Sequence, residues 1–512
     1  MRPSSESSLH SPVPSSTSTL RDRGSSIIEQ ELASSTEEIL GSCDRFRILV
    51  VGKSGAGKSS LINATFSIHT ANVSHEMSGI SNIYQEITSE QNTRFILHDS
   101  QGFAAGETQN YTTVEKFIAE KAKEPKLKDR LHAIWFCMEV PTENGALFEK
   151  ADDAFLRLDL QSIPVVVIFT KYDLLVRKFE KEASDSIGEQ ERETMANQKA
   201  DEFYDKNCVR PLKNITRNRQ VPISYVRVST KKEVCYADTL VKLVEETQSR
   251  LDERMLILWA LAQRVSVDAK IDACIDVGKR KYWRGLFSSL HFPGKTMEQC
   301  LDRIHDDMID IWNFNDPLLN LKSRKFKNTM ARLVEDLDDR NSTGATQMLS
   351  FSGAYGAITT ILPIVPHVAL GAAAGIAVAQ WLLHIYQETP SILRLLMGYI
   401  CDLTNVLQCI FWIMQGRGNG IEVNWALIDL AMDEHENTHA RSLIHAEIRD
   451  FVTRRSIVIQ ATRRDEAMEK LSNILQNVRF RPENLSQSPR IYMSLLESKV
   501  FSFDKFSFDS TL

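Results

Sequence analysis

The sequence predicts a three-layer α/β domain with a mainly parallel sheet, followed by an all-α domain, and three observations predict it. Between Phe46 and about Arg250, short β-branched runs alternate with longer amphipathic stretches, the pattern of strands joined by crossover helices. The first run, Arg47–Val51, leads directly into a glycine-rich turn, Gly52–Ser59, and then into a helical pattern from Ser60. After Arg250 the β pattern stops and apolar residues recur at helical spacing.

At 512 residues the chain exceeds the size at which one core stops growing, so two folded domains are expected. The division predicted is a serine-rich disordered tail over 1–43, the α/β domain over 44–252, a helical domain over 253–490 with an apolar hairpin at 341–387, and a tail over 491–512. A net charge of −6, with 43% apolar and 25% charged residues, argues against non-specific nucleic-acid binding. Eight cysteines are scattered without a C-x-x-C pair, which fits reduced thiols in an intracellular protein. No apolar run near the N-terminus resembles a secretory signal. The serines of the tail, including Ser11 before proline, also suit phosphorylation.

Within the α/β region the strands are predicted at Phe46–Val51, Ile83–Thr88, Thr93–His98, Leu131–Cys137, Pro164–Phe169 and Ser224–Val228. In such a sheet ligands sit at the carboxyl ends of the strands. The first end carries Gly52, Lys53, Ser54, Gly55, Ala56, Gly57, Lys58 and Ser59, followed by Ser60 at the start of the helix. The spacing has a physical purpose. Glycines take φ values that other residues resist, so consecutive N–H groups point at one anion, and the helix that starts near Lys58 adds the positive end of its dipole. In this pattern Lys58 neutralises β- and γ-phosphates and the Ser59 hydroxyl ligates Mg²⁺.

Two more motifs fall at strand ends. Asp99-Ser100-Gln101-Gly102 is a D-x-x-G in which Asp99 holds Mg²⁺ through water and the Gly102 N–H meets the γ-phosphate. Thr170-Lys171-Tyr172-Asp173 is more specific. The Asp173 carboxylate suits the N1–H and N2–H₂ donors of guanine, which adenine lacks, and Lys171 has an aliphatic stem to lay on the base plane. Ser229 and Thr230, after the next strand, are placed to offer a backbone N–H to guanine O6.

From Phe46 to Arg250, about two fifths of the chain, these motifs resemble the Ras-like P-loop GTPases of the translation-factor-related class. The wording of Gly52–Asn63 and of Asp99–Phe103 looks most like the Era-like, septin-like and chloroplast-import-type members. Ala133-Ile134-Trp135-Phe136-Cys137 is similar to a family of fungal G-domain proteins of unassigned role. The resemblance implies GTP and GDP as ligands with Mg²⁺, and γ-phosphate contacts from two switch loops. Three departures carry consequences. Where the family places a Mg²⁺-ligating threonine, the loop offers Ser74, Ser78 and Ser81, of which Ser81 stands just before a strand. Phe103 follows Gly102 where Ras-type enzymes carry the glutamine that orients the attacking water, and Gln101 sits on the wrong side of the phosphate for that geometry. Gly55 replaces the asparagine of potassium-stimulated relatives.

The polar connection from Leu175 to Val221 reads as a solvated surface helix and loop or as an effector-binding insertion. In the helical region, Lys279–Arg284 mixes cations with aromatics, as either a solvated helix end or a membrane-surface segment does. From Asn341 to Gln387 there is no Asp, Glu, Lys or Arg. Proline steps divide this stretch into Met348–Leu362 and His367–Tyr386, a core hairpin or a membrane hairpin. The next apolar run, Leu393–Met414, carries Arg394 and Asp402 and reads as core. The chain ends in a tandem Phe-Ser-Phe-Asp between Phe501 and Asp509, a frayed tail or a docking strand. The expected protein is a slow GTPase switch or a GTP-loaded scaffold. Its expected catalytic groups are Lys58, Gly102 and Ser81, and its Mg²⁺ ligands Ser59, Ser81 and Asp99. A homodimer through the G domain and a membrane contact through 341–387 are the expected partnerships, in the cytoplasm.

Overall fold

Period-two alternation along the central strands sorts their side chains onto two faces of one sheet, and each face finds its own layer of helices. The computed structural model describes residues 40–68, 82–100, 108–142, 147–158, 160, 163–183, 188–217, 219, 223–230, 234–281, 297–337, 372–417, 420–437, 439–453 and 464–477. The strands are β1 (Phe46–Gly52), β2 (Ile87–Ser89), β3 (Asn92–Asp99), β4 (Ala133–Glu139), β5 (Val165–Thr170) and β6 (Ser224–Arg227). They lie in the order β2-β3-β1-β4-β5-β6; β2 alone runs antiparallel to its neighbour.

Phe46, Ile48 and Val50 of β1 join Ala133, Trp135 and Cys137 of β4 and Val166 and Ile168 of β5 on one face. Covering them are α1 (Lys58–Phe66), α7 (Val234–Gln248) and α8 (Glu253–Ala262). Leu49, Val51, Ile134, Phe136, Val167 and Phe169 point the other way. That face is covered by α2 (Thr108–Ala122), α3 (Lys150–Arg157), α4 (Tyr172–Glu182), α5 (Glu189–Tyr204) and α6 (Arg210–Thr216). The result is the predicted three-layer domain. Beneath α1, Phe66 stacks on Phe95 with centroids 4.3 Å apart, and burying a ring of this size contributes roughly 1.5–3 kcal/mol.

One predicted strand is corrected. Ile83–Thr88 is extended only from Ile87, because the Asn82 side chain accepts the Tyr84 N–H and its carbonyl accepts the Gln85 N–H, closing a turn. Ile83 is still buried, which is what made the segment look strand-like.

The connection after Leu175 folds as surface helices with an inward stripe of Ala196, Ala200, Tyr204, Cys208 and Leu212. The six cysteines whose side chains are described are free and buried.

The helical region contains α9 (Val267–Lys281), α10 (Met297–Trp312), α11 (Arg324–Leu333), α12 (Ala372–Arg417), α13 (Trp425–Asn437), α14 (His439–Thr453) and α15 (Arg464–Asn477), sharing one apolar core. Two features expected as separate, the end of the apolar hairpin and the run Leu393–Met414, lie on the single helix α12. The stretch Leu393–Arg417 is long and apolar enough to cross a membrane, yet 94% of its most apolar window is buried within the protein, as the core reading expects. Residues 1–39, 341–371, Tyr282–Arg284 and 478–512 lie outside the described residues, whereas the end of the expected disordered tail is corrected: Leu40 packs against the apolar cores and Cys43 is buried.

Helix α8 joins the two cores. Met255, Leu258, Trp259 and Ala262 pack on the sheet, while Ile257, Ala260 and Leu261 pack into the helical core. The boundary expected after residue 252 thus falls just before a helix that serves both sides.

Candidate nucleotide site

Parallel strands end together, so the loops after β1, β3, β5 and β6 share one edge of the sheet. β1 must turn sharply at Gly52, whose φ is 148°. A Cβ here would stand 2.2 Å from the Cys137 carbonyl oxygen of β4, so the close approach of the loop to β4 requires glycine. At the other end of the loop Gly57, with φ 80°, is the residue from which α1 starts at Lys58, as expected. No side chain caps that end of α1 and its first turn holds no acid, so the positive end of the helix faces the loop unneutralised. Ser54, Gly55, Ser59 and Ser60 are exposed there.

Lys58 reaches back across the loop, its ammonium donating to the Gly52 carbonyl (3.0 Å) and the Lys53 carbonyl (3.2 Å). Lys53 points elsewhere. Its ammonium pairs with Glu149 (2.8 Å) and Asp152 (3.5 Å) at the start of α3, where those two acids form a capping box. The partial burial of Lys53 works to lower its pKa, but the two carboxylates outweigh this and raise it. Sequence reasoning missed Glu149 and Asp152, whose E-x-x-D spacing is the local signal of a helix start that could have found them.

Asp99 lies beside Val50 in the β1–β3 register, and the next residue, Ser100, donates its N–H to the Val50 carbonyl at 3.1 Å. The Asp99 Oδ1 is buried with no hydrogen-bond partner among the described residues. Burial raises its pKa and Lys58 pulls the other way. A buried carboxylate oxygen without a hydrogen-bond partner among the described residues, within electrostatic reach of Lys58, is a hard-oxygen donor of the kind that fits Mg²⁺. Ser81, Gly102, Gln101 and Phe103 lie outside the described residues, as do Ser74 and Ser78.

At the end of β5, Thr170 is buried and its hydroxyl donates to the Ala56 carbonyl at 2.7 Å, with the Met138 carbonyl 3.1 Å away. Thr170 therefore ties the glycine loop to β4 and β5. Lys171 adopts φ 58° at the start of α4 and its ammonium pairs with Glu139 at 2.7 Å, which fixes the direction of the stem. Asp173 is only 5% exposed, and its Oδ1 accepts the Ser229 hydroxyl at 2.9 Å. The Ser229 N–H, considered above for guanine O6, donates instead to the Thr239 hydroxyl at 3.1 Å. Thr230 is exposed beside it. Sequence reasoning missed Thr239 and Glu139, which carry no local signature.

The family described as 50S ribosome-binding GTPase matches residues 47–171, and one described as a domain of unknown function matches residues 318–488. No curated protein matches the chain. Among solved structures, Toc33 from Arabidopsis thaliana is 13% identical, with 44% of this chain and 93% of that one covered and a TM-score of 0.27. A probable GTP-binding protein engB is 17% identical, with 40% and 97% covered and a TM-score of 0.24. Translation elongation factor SelB from Methanococcus maripaludis is 14% identical, with 41% and 35% covered and a TM-score of 0.22. Likenesses of this extent leave the function of the chain to its own residues. The family match falls on the glycine loop and on five of the six strands of the sheet, and the segment 47–171 is the matched part of a P-loop GTPase G domain.

Proposed function

We propose that this chain is a guanine-nucleotide switch that hydrolyses GTP slowly to GDP and phosphate and passes the change to its helical domain. The observation that carries this reading is Asp173, a buried carboxylate positioned by Ser229 at the end of β5, whose neighbour Thr170 holds the phosphate loop. A carboxylate suits the paired donors of guanine and is left unmatched by adenine. Asp173→Asn is expected to shift selectivity from guanine toward xanthine nucleotides; a variant with wild-type selectivity would remove the base-reading claim.

In this reading the amides of Lys53–Ser60 and the Lys58 ammonium hold the phosphates. Mg²⁺ neutralises phosphate charge when bound, and Ser59, Asp99 and Ser81 are the residues that would hold it. The switch rests on γ-phosphate contacts to Gly102 and to the Ser81 hydroxyl. Phe103 cannot hydrogen-bond a water, so hydrolysis depends on polar help from outside, and a homodimer through the G domain is our proposed source. Within the P-loop GTPases we place the chain with the Era-like and septin-like class and with the fungal proteins noted above. We also propose a cytoplasmic location and a membrane contact through 341–387, to be tested by flotation of the full chain with liposomes.

Phe103 also favours a second reading, a GTP-loaded scaffold without catalysis. Single-turnover phosphate release across a range of protein concentrations separates the two. A rate that climbs with concentration supports dimer-assisted hydrolysis, and no release at any concentration supports the scaffold.

A further inference from the structure

Between α10 and α11 the chain turns through Asn315-Asp316-Pro317-Leu318-Leu319-Asn320-Leu321. Leu318 is 79% exposed and Leu319 61%, whereas most other leucines among the described residues are buried. The turn is fixed in place. The Asp316 carboxylate accepts the N–H groups of Asn320 (2.9 Å) and Leu321 (2.8 Å), and Leu321 is fully buried. Asn315 donates its side-chain amide to the Gly420 carbonyl and accepts the Val423 N–H, while the Asn320 amide reaches the Val423 carbonyl. The two leucines are therefore presented by a braced turn, with the preceding Pro317 also exposed.

The charges around the tip divide into two kinds. Lys322 is paired with Asp310, and Lys327 with Asp302 and Asp306. Arg324 and Lys325, both exposed, have no carboxylate partner among the described residues, and the Lys325 ammonium sits 3.6 Å from the ring centroid of Trp425. The opposing charges are Glu422 on the adjoining loop and the half-buried Asp316 carboxylate, whose negative charge is held inward by the Asn320 and Leu321 N–H groups.

We propose that this tip is a membrane-contact element: Leu318 and Leu319 enter the interfacial layer of an anionic bilayer while Arg324 and Lys325 meet lipid phosphates. Four features favour that occupant. The apolar part is two adjacent leucines left largely open to solvent at a turn, which suits a deformable phase. The two exposed cations that follow it in the chain, in no ion pair among the described residues, offer partners for lipid phosphates. An amphipathic aromatic lies beneath one of those cations, as at membrane–water interfaces. The brace of side-chain and backbone bonds lets the leucines enter without unfolding the turn. The proposal stands apart from the nucleotide reading and from residues 341–387.

The test is flotation of the full chain with vesicles of phosphatidylcholine alone or with added phosphatidylserine, at low and high salt. The wild type is expected to prefer the anionic vesicles and to lose binding as salt rises. Replacing both leucines (Leu318→Ser with Leu319→Ser), or both cations (Arg324→Gln with Lys325→Gln), should lower the anionic partition about ten-fold. Both pairs lie on the surface and should leave the melting temperature and GTP affinity unchanged, which separates this proposal from the nucleotide site. A leucine variant that floats like the wild type would overturn it, as would equal binding to neutral vesicles. So would a wild type that ignores vesicles but self-associates in sedimentation through these leucines, since the occupant would then be a second copy.

Discussion

Asn313, at the end of α10, donates a 3.0 Å hydrogen bond to the side-chain carbonyl of Asn92, the first residue of β3. The Asn92 amide in turn donates to the Phe66 carbonyl at the end of α1 (3.0 Å) and to the Ala262 carbonyl at the end of α8 (2.9 Å). One buried asparagine thus joins the helix that begins at the phosphate loop to the helical region. Close by, the Arg264 N–H donates to the Thr65 carbonyl, and the buried Lys270 ammonium donates to the carbonyls of Leu261 and Ile311. Burial without a carboxylate holds the Lys270 pKa well below its usual value.

Asn92→Ala leaves two carbonyls and the Asn313 amide without this partner. It is expected to destabilise the protein by about 1–3 kcal/mol, read as a lower denaturant midpoint. A midpoint equal to the wild type would mean that the junction bears no load.

Thr170→Val keeps the volume but removes the hydroxyl that ties the glycine loop to β5. Nucleotide affinity should fall by about ten-fold, the equivalent of one lost hydrogen bond, while selectivity between guanine and adenine persists because Asp173 is untouched. Titration with GTP and ATP checks both statements.

A pH signature should come from the helical core. Asp402 is fully buried and accepts from His435 (3.0 Å) and His445 (2.9 Å), and the other nitrogen of His445 faces Asp336 at 3.0 Å. Burial works to lower the His445 pKa, but the two carboxylates outweigh it and raise it to about 8. A folded value above the unfolded one means the stabilisation is complete below about pH 6.5 and is lost as pH rises through about 8, an effect of about 2 kcal/mol. His445→Gln should therefore narrow its deficit against the wild type between those pH values. A deficit constant with pH would contradict a charged His445.

How much of this was legible in the sequence follows the range of the interactions. Gly52, Gly57 and Lys58 were readable because a turn and a helix start are set by residues within one short stretch. The position of Asp173 just past a strand end was readable because its motif follows a β-branched run. The hydroxyl bond from Thr170 to Ala56 spans 114 positions and the one from Asn313 to Asn92 spans 221, so no local pattern announces either. Helix α8 looked purely helical-domain because its apolar residues run nearly all round, and only tertiary packing shows that both sides are used. Asp402 looked like a charge tolerated on a core helix. The two histidines that hold it come from α13 and α14, 33 and 43 positions away.

The most direct test is isothermal titration of the purified full chain, with magnesium, against GTP, GDP and ATP, in parallel with Lys58→Ala. The account predicts saturable heat for both guanine nucleotides, little for ATP, and loss of binding in the variant. No heat from either guanine nucleotide, or unchanged GTP affinity without the Lys58 ammonium, would contradict it.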